Sequence, residues 1–186
     1  LRKINFPLAM PSANKSGKVS PTCAQHVYDQ FGKKIIILDG GNSTVGIEST
    51  VVDLTSDMSI LRPGTISSEQ IQKILGKKII YKKSKKIKSP GNLKNHYSPG
   101  IPIKLNAKKA EKNSAFITIG KKFKKSKGMY NLSEKSNLEE AAKNLYKTLI
   151  TIKKKKYKKI SIMKIPNIGV GIAINDRLKR AAAKWM

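Results

Sequence analysis

Cysteine, arginine, aromatic and acidic residues are all scarce in this chain, and each scarcity excludes something. The single cysteine, Cys23, rules out an internal disulfide and any metal site built from several thiolates. A reducing, cytoplasmic compartment suits such a chain best. Aromatics are 6% of the 186 residues. Only four arginines are present (Arg2, Arg62, Arg177 and Arg180), so recognition of nucleic-acid base edges has few of its usual side chains. No apolar run approaches the ~18–20 residues that cross a bilayer. Leu1 to Pro7 lack the apolar segment of a signal peptide, so no membrane partner is expected.

Lysine is what the chain has in excess. Against 11 acidic residues stand 39 basic ones, a formal net charge of +28. Such a field concentrates polyanions such as RNA near the surface. Lysine without arginine or aromatics fits a solvated surface at least as well. Hydrophobic residues make up 39%, enough for a core, and the length allows one large or two small domains. The first residue is not methionine, which suggests a chain that starts inside a longer one.

Periodicity and punctuation divide the chain into three. In residues 1–81, Ile4 to Met10 predicts a short strand. Ser20 predicts an N-cap with Pro21 at the first helical position. The helix then runs past Ala24, Val27 and Phe31 to Gly32. Lys34 to Leu38 predicts a buried strand. Ser49–Leu54 and Ser59–Arg62 predict a hairpin around Ser56-Asp57. Ser67 and Gln70 fit a capping box on a helix whose buried face is Ile71, Ile74 and Leu75, and Lys78–Tyr81 predicts a closing strand. Residues 82–100 lose all apolar period and read as a linker. Residues 101–186 alternate strand and helix, with strands at Pro102–Leu105, Ala115–Ile119 and Lys159–Met163. Helices are expected at Leu138–Ile150 and Gly171–Ala183, and the pattern predicts a small α/β layer structure.

Chemistry-bearing residues cluster in the first part. Ser12, Asn14 and Ser20 supply hydroxyl and amide groups beside an expected helix start, the donor set an anion requires. Taken alone, they equally describe a turn and a cap. Arg62 ends a strand before Pro63-Gly64, where a guanidinium can grip a phosphate or close a surface ion pair. Glu48, Ser49 and Thr50 add a carboxylate and two hydroxyls at a strand start. His96-Tyr97 sits in the linker, where the tyrosine can stack on a base or dock on its own domain. Cys23, one helical turn from His26, reads as a packing residue.

Taken in order, several segments resemble the threonylcarbamoyl-AMP synthases, in the long two-domain form of the YrdC-like family. They are Pro11-Ser12-Ala13-Asn14, Ser16-Gly17, Ser20-Pro21-Thr22, Gly46 to Asp53, Leu61-Arg62-Pro63-Gly64, Ser89 to Gly100, and Ala173 to Leu178. The resemblance implies the C-terminal half of a YrdC-like twisted mixed sheet with helices, then the linker, then a small Rossmann-like α/β domain. It implies an enzyme that joins L-threonine, bicarbonate and ATP into L-threonylcarbamoyl-adenylate. Further threonylcarbamoyl-transferase proteins then move the group to an adenosine beside the tRNA anticodon. Ser12, Asn14, Ser20, Arg62 and Tyr97 would serve ATP, while Met10 and Ser49 would line the threonine pocket, and Mg2+ would accompany the nucleotide. No metal-ligand set and no catalytic residue is assigned. The family carries alanine where this chain has Met10. Its basic Lys-x-Arg pair, from the first half of the YrdC-like domain, has no counterpart here, so the expectation is an incomplete and inactive fragment. The competing expectation is a basic tRNA- or RNA-binding module without chemistry.

Overall fold

The computed structural model describes residues 3–55, 58–81, 93, 95–123 and 126–183. These form two sheets with four helices, an α/β architecture.

In the first part, α1 (Ala24–Phe31) precedes a small mixed sheet. Strand β1 (Val51–Asp53) pairs antiparallel with β2 (Ser59–Arg62), and β3 (Ile80–Tyr81) joins β2 in parallel. The parallel return requires a crossover, which α2 (Ser68–Leu75) supplies. Its capping box is fully formed: Ser67 Oγ accepts from Gln70 N, and the Gln70 side chain accepts from Ser67 N. Gly76 ends the helix in the left-handed conformation.

The second part is a four-stranded parallel sheet in the order β4 (Ile103–Lys104), β7 (Lys159–Ile162), β5 (Ser114–Thr118), β6 (Met129–Asn131). Every residue of β5 is buried, as a central parallel strand covered on both faces should be. Helix α3 (Leu138–Lys154) is capped by Asn137 and buries Ala141, Ala142, Leu145, Tyr146, Leu149 and Ile152 at helical spacing. Helix α4 (Val170–Ala182) packs beside it. The main core lies here, and Val19, Ile47 and Tyr97 from outside the sheet belong to it. Loops of the first part are therefore fastened to the second part by burial. No described helix is long and apolar enough to cross a membrane.

Several sequence expectations change. Ile4–Met10 forms no strand, and its apolar side chains are exposed. Ile35–Leu38 forms none either; Ile36 is 95% exposed. Apolar pattern registers a capacity for burial, whereas a strand also requires a ladder partner, and neither segment has one among the described residues. Ser20 does not cap α1. Cys23 holds that position without a side-chain bond, so the helix starts three residues later than expected. The stripe on α2 is only partly covered, with Ile74 85% exposed. Helix α3 runs one turn past Ile150, and β6 is an additional strand. The expected turn Ser56-Asp57 and most of the expected linker, 82–92 and Lys94, lie outside the described residues.

Candidate functional site

A cavity of about 180 Å3 opens between the loop that carries Ser12 and Ser20 and the loop Ser43–Glu48. Two backbone features shape it. Ser43 N donates to Thr22 O at 2.8 Å, tying the loops together. Gly46 has φ +82°, and a Cβ there would lie 2.4 Å from the Lys143 Cα on α3. Only glycine lets this loop lie against the helix so closely. That approach brings Tyr146 of α3 into the cavity wall.

Glu48 is the hub. Its Oε1 accepts the Ser20 hydroxyl at 2.6 Å. Its Oε2 accepts Tyr146 Oη at 2.8 Å and Arg177 Nε at 3.0 Å. Arg177, on α4, is 1% exposed and also bonds Asp176. Burial pushes the Glu48 carboxyl up, but the Arg177 guanidinium and the bonds from Ser20 and Arg177 outweigh it, and the net direction is down. Burial likewise drives the Tyr146 phenol well above its ordinary value, with the Glu48 charge adding to the effect. The carboxylate is thus ionised, and both hydroxyls keep their protons. Ser20 consequently spends its one proton on Glu48 and presents lone pairs elsewhere.

One residue further on, Ser49 meets Arg62. Arg62 Nε donates to Ser49 O at 3.0 Å, and its NH2 group donates to Ser49 Oγ at 3.2 Å. The Ser49 hydroxyl therefore accepts from the guanidinium and keeps its own proton to donate. A Cβ on Gly64 would lie 2.2 Å from Thr50 N, so the Pro63-Gly64 turn presses directly on the Ser49-Thr50 segment that leads into β1. Asn14 shapes its loop through Nδ2 bonds to Lys15 O and Lys18 O. Its Oδ1 is buried with no hydrogen-bond partner among the described residues. Met10 is exposed and does not line the cavity.

Tyr97 is 1% exposed and adopts φ +59°, a strained backbone for a bulky residue. It stacks on Tyr146 with centroids 5.7 Å apart and lies 5.2 Å from the Arg177 guanidinium. His96 packs edge-on against it. Ser98 N donates to Gly17 O, so this segment returns onto the loop that follows Asn14.

The structure thus brings Ser12 and Ser20 to one cavity, joins Ser49 to Arg62 beside it, and sets Tyr97 behind Tyr146. Sequence reasoning gave Glu48 no more than a polar strand edge and missed Tyr146. Arg177 entered only as part of a resembling segment. Its signal was available: one of four arginines, on an otherwise apolar helix face. Among the described residues no group of three His, Cys, Asp or Glu side chains converges to hold a metal ion.

These features define a class: an α/β protein whose hydroxyl-lined cavity is braced from behind by a parallel-sheet layer. Comparison with known proteins narrows it. Residues 66–183 match the family model for the threonylcarbamoyl-AMP synthase C-terminal domain, and residues 1–64 match a YrdC-type model described as telomere recombination. The chain belongs to the threonylcarbamoyl-AMP synthase family. It is 36% identical to the threonylcarbamoyl-AMP synthase of Pyrococcus abyssi, over 95% of this chain and 58% of that protein. Against the Bacillus subtilis threonylcarbamoyl-AMP synthase it is 34% identical, over 98% of this chain and 59% of the relative. The crystal structure of P. abyssi Sua5 complexed with L-threonine superimposes with a TM-score of 0.78 at 32% identity, covering 92% of this chain and 56% of that one. The chain therefore spans somewhat more than half the length of these relatives.

Proposed function

We propose that this chain is part of an enzyme that condenses L-threonine, bicarbonate and ATP into L-threonylcarbamoyl-adenylate with release of pyrophosphate. The product would feed threonylcarbamoyl transfer to tRNA by other proteins in the cytoplasm. The observation that carries this reading is the convergence of motif residues: Ser12 and Ser20 share one cavity, and its Glu48 wall continues into the Ser49–Arg62 pair. The P. abyssi relative was crystallised in complex with L-threonine.

The chemistry brings several anions together, so positioned cations and donors must offset their repulsion. Arg62 supplies charge and orients Ser49, whose remaining proton suits the threonine carboxylate. Ser12 faces the nucleotide, and Asn14 supports that loop through its bonds to Lys15 O and Lys18 O. Ser20 contributes to phosphate binding by turning its hydroxyl away from Glu48. Met10 bounds the threonine side through its backbone, and Tyr97, buried behind Tyr146, supports the cavity wall and does not cover the nucleotide. Mg2+ fits as an ion carried by the nucleotide phosphates, since the donors at hand are hydroxyls and amides and not a carboxylate cage. Residues 1–81 and 101–186 act as two domains across the 82–100 linker, a division consistent with the two separate sheets.

The test is Arg62→Ala in the full-length enzyme, with ATP binding followed by calorimetry. Loss of charge-assisted bonds of about 1.5–3 kcal/mol corresponds to roughly a 10- to 100-fold weaker affinity. Unchanged ATP affinity in a folded variant would remove Arg62 from the site.

A further inference from the structure

A second cavity, of about 400 Å3, shares no lining residue with the first. It lies between Lys15 and Lys18 of the N-terminal loop, α1, the returning segment Ser98-Pro99, and the last turns of α3. Its charges are of nearly one sign. Among the described residues Asp29 is its only lining carboxylate, and it is already bound to Lys154, Nζ to Oδ2 at 2.6 Å. Lys18 Nζ and Lys153 Nζ each lie 3.7 Å from the point where a Cβ on Gly100 would stand. Two ammonium groups from distant parts of the sequence thus converge on one spot. Neither they nor Lys15 has a carboxylate partner among the described residues.

Like charges meeting across a seam repel unless an anion lies between them. Lys153 in the last turn of α3 also suits the helix dipole, but Lys15 and Lys18 come from a loop and have no such reason to be there. Val19, Pro99 and Ile150 give the cavity apolar walls, while Lys15, Lys18 and Lys153 are themselves exposed at its rim. His26 adds a donor. Its Nδ1 accepts Thr22 N at 3.2 Å, which leaves the proton of the neutral ring on Nε2. Lysine ammonium groups around a small space suit a phosphate as point charges.

We propose that this second cavity binds a phosphate-bearing anion, held by Lys15, Lys18 and Lys153 between the N-terminal loop and the end of α3. The site stands on its own geometry and does not rest on the adenylate reaction. The phosphate has two possible sources, a free diphosphate or the backbone of an RNA strand.

The chain has two histidines, which makes NMR titration direct. Burial and the Lys154 and Lys147 charges hold the His26 pKa below 6.5, with Asp29 opposing them. His96 lies near Glu48, Arg62, Arg177 and Arg180, beside the first site. Inorganic pyrophosphate, or separately a short single-stranded RNA oligonucleotide, is added to the 186-residue chain in low-salt buffer. An anion among the lysines offsets their charge, so the His26 pKa rises while that of His96 stays. The double variant Lys18→Gln/Lys153→Gln should lose the response and bind about tenfold or more weakly, with an unchanged circular dichroism spectrum. A response to pyrophosphate alone assigns the site to a free anion; a response to RNA at equal phosphate concentration assigns it to a strand. No His26 response to either probe, a response of His96 alone, or one that the double variant retains would overturn the proposal.

Discussion

Glu48 shows how much one side chain can hold. It accepts from a loop serine, a helix tyrosine and a buried arginine, and so connects the first cavity to α3 and α4. Arg177→Met would leave its carboxylate half-buried and unpaired. Breaking a buried pair in this way costs about 3–5 kcal/mol, and urea denaturation should show a loss of that order. Acid should unfold the protein in two stages. His26 and His96 are both held below their ordinary 6.5 by burial, so below pH 6.5 the unfolded chain takes up protons that the folded one refuses, and stability falls. The Glu48 carboxyl is held below 4.5; its contribution is complete above that pH and is lost as pH falls through the folded value. Urea midpoints at pH 7.5, 5.5 and 4 measure both stages, and Glu48→Gln should flatten the second. None of this network could be read from the string, because its members are separated by up to 129 residues.

Local elements were far more legible. The capping box of α2, the β1–β2 hairpin, α3 and α4 follow from neighbours within a few positions, where capping and periodicity operate. Ser67→Ala should therefore lower stability by about 0.5–2 kcal/mol, seen as a small drop in melting temperature. Gly46→Ala tests a different kind of information. Its Cβ would meet the backbone of α3 at 2.4 Å, so the loop must lift and carry Glu48 away from Tyr146. We expect a larger thermal destabilisation than for Ser67→Ala, with weaker protection of the Tyr146 phenol in a pH titration. Ile35–Leu38 shows the limit of local reading: its apolar run is sound, but pairing is a property of two segments.

Across the whole molecule, the first part is open and the second is closed. Met10 and Ser49 are exposed, so among the described residues the proposed threonine side stands open to water. We accordingly expect the 186-residue chain, incubated with threonine, bicarbonate and ATP, to yield no adenylate by chromatography. Product formation would show that these 186 residues suffice. The charge of +28 belongs to the same scale. Binding of RNA through exposed lysines should weaken steeply with salt, whereas selectivity for threonine should persist, and a salt series separates the two.

Order, spacing and short-range chemistry were enough to give the α/β class, the two blocks of elements and most helix limits, while Ser12, Asn14, Ser20, Ser49 and Arg62 were singled out as candidates through the family resemblance. Those structural features depend on interactions between near neighbours, which a linear string preserves. The Glu48–Arg177–Tyr146 hub, the burial of Tyr97 at a strained φ and the convergence of Lys18 with Lys153 required the folded chain. Each depends on how close distant segments come and how little water remains between them, and neither quantity is written in the order of residues.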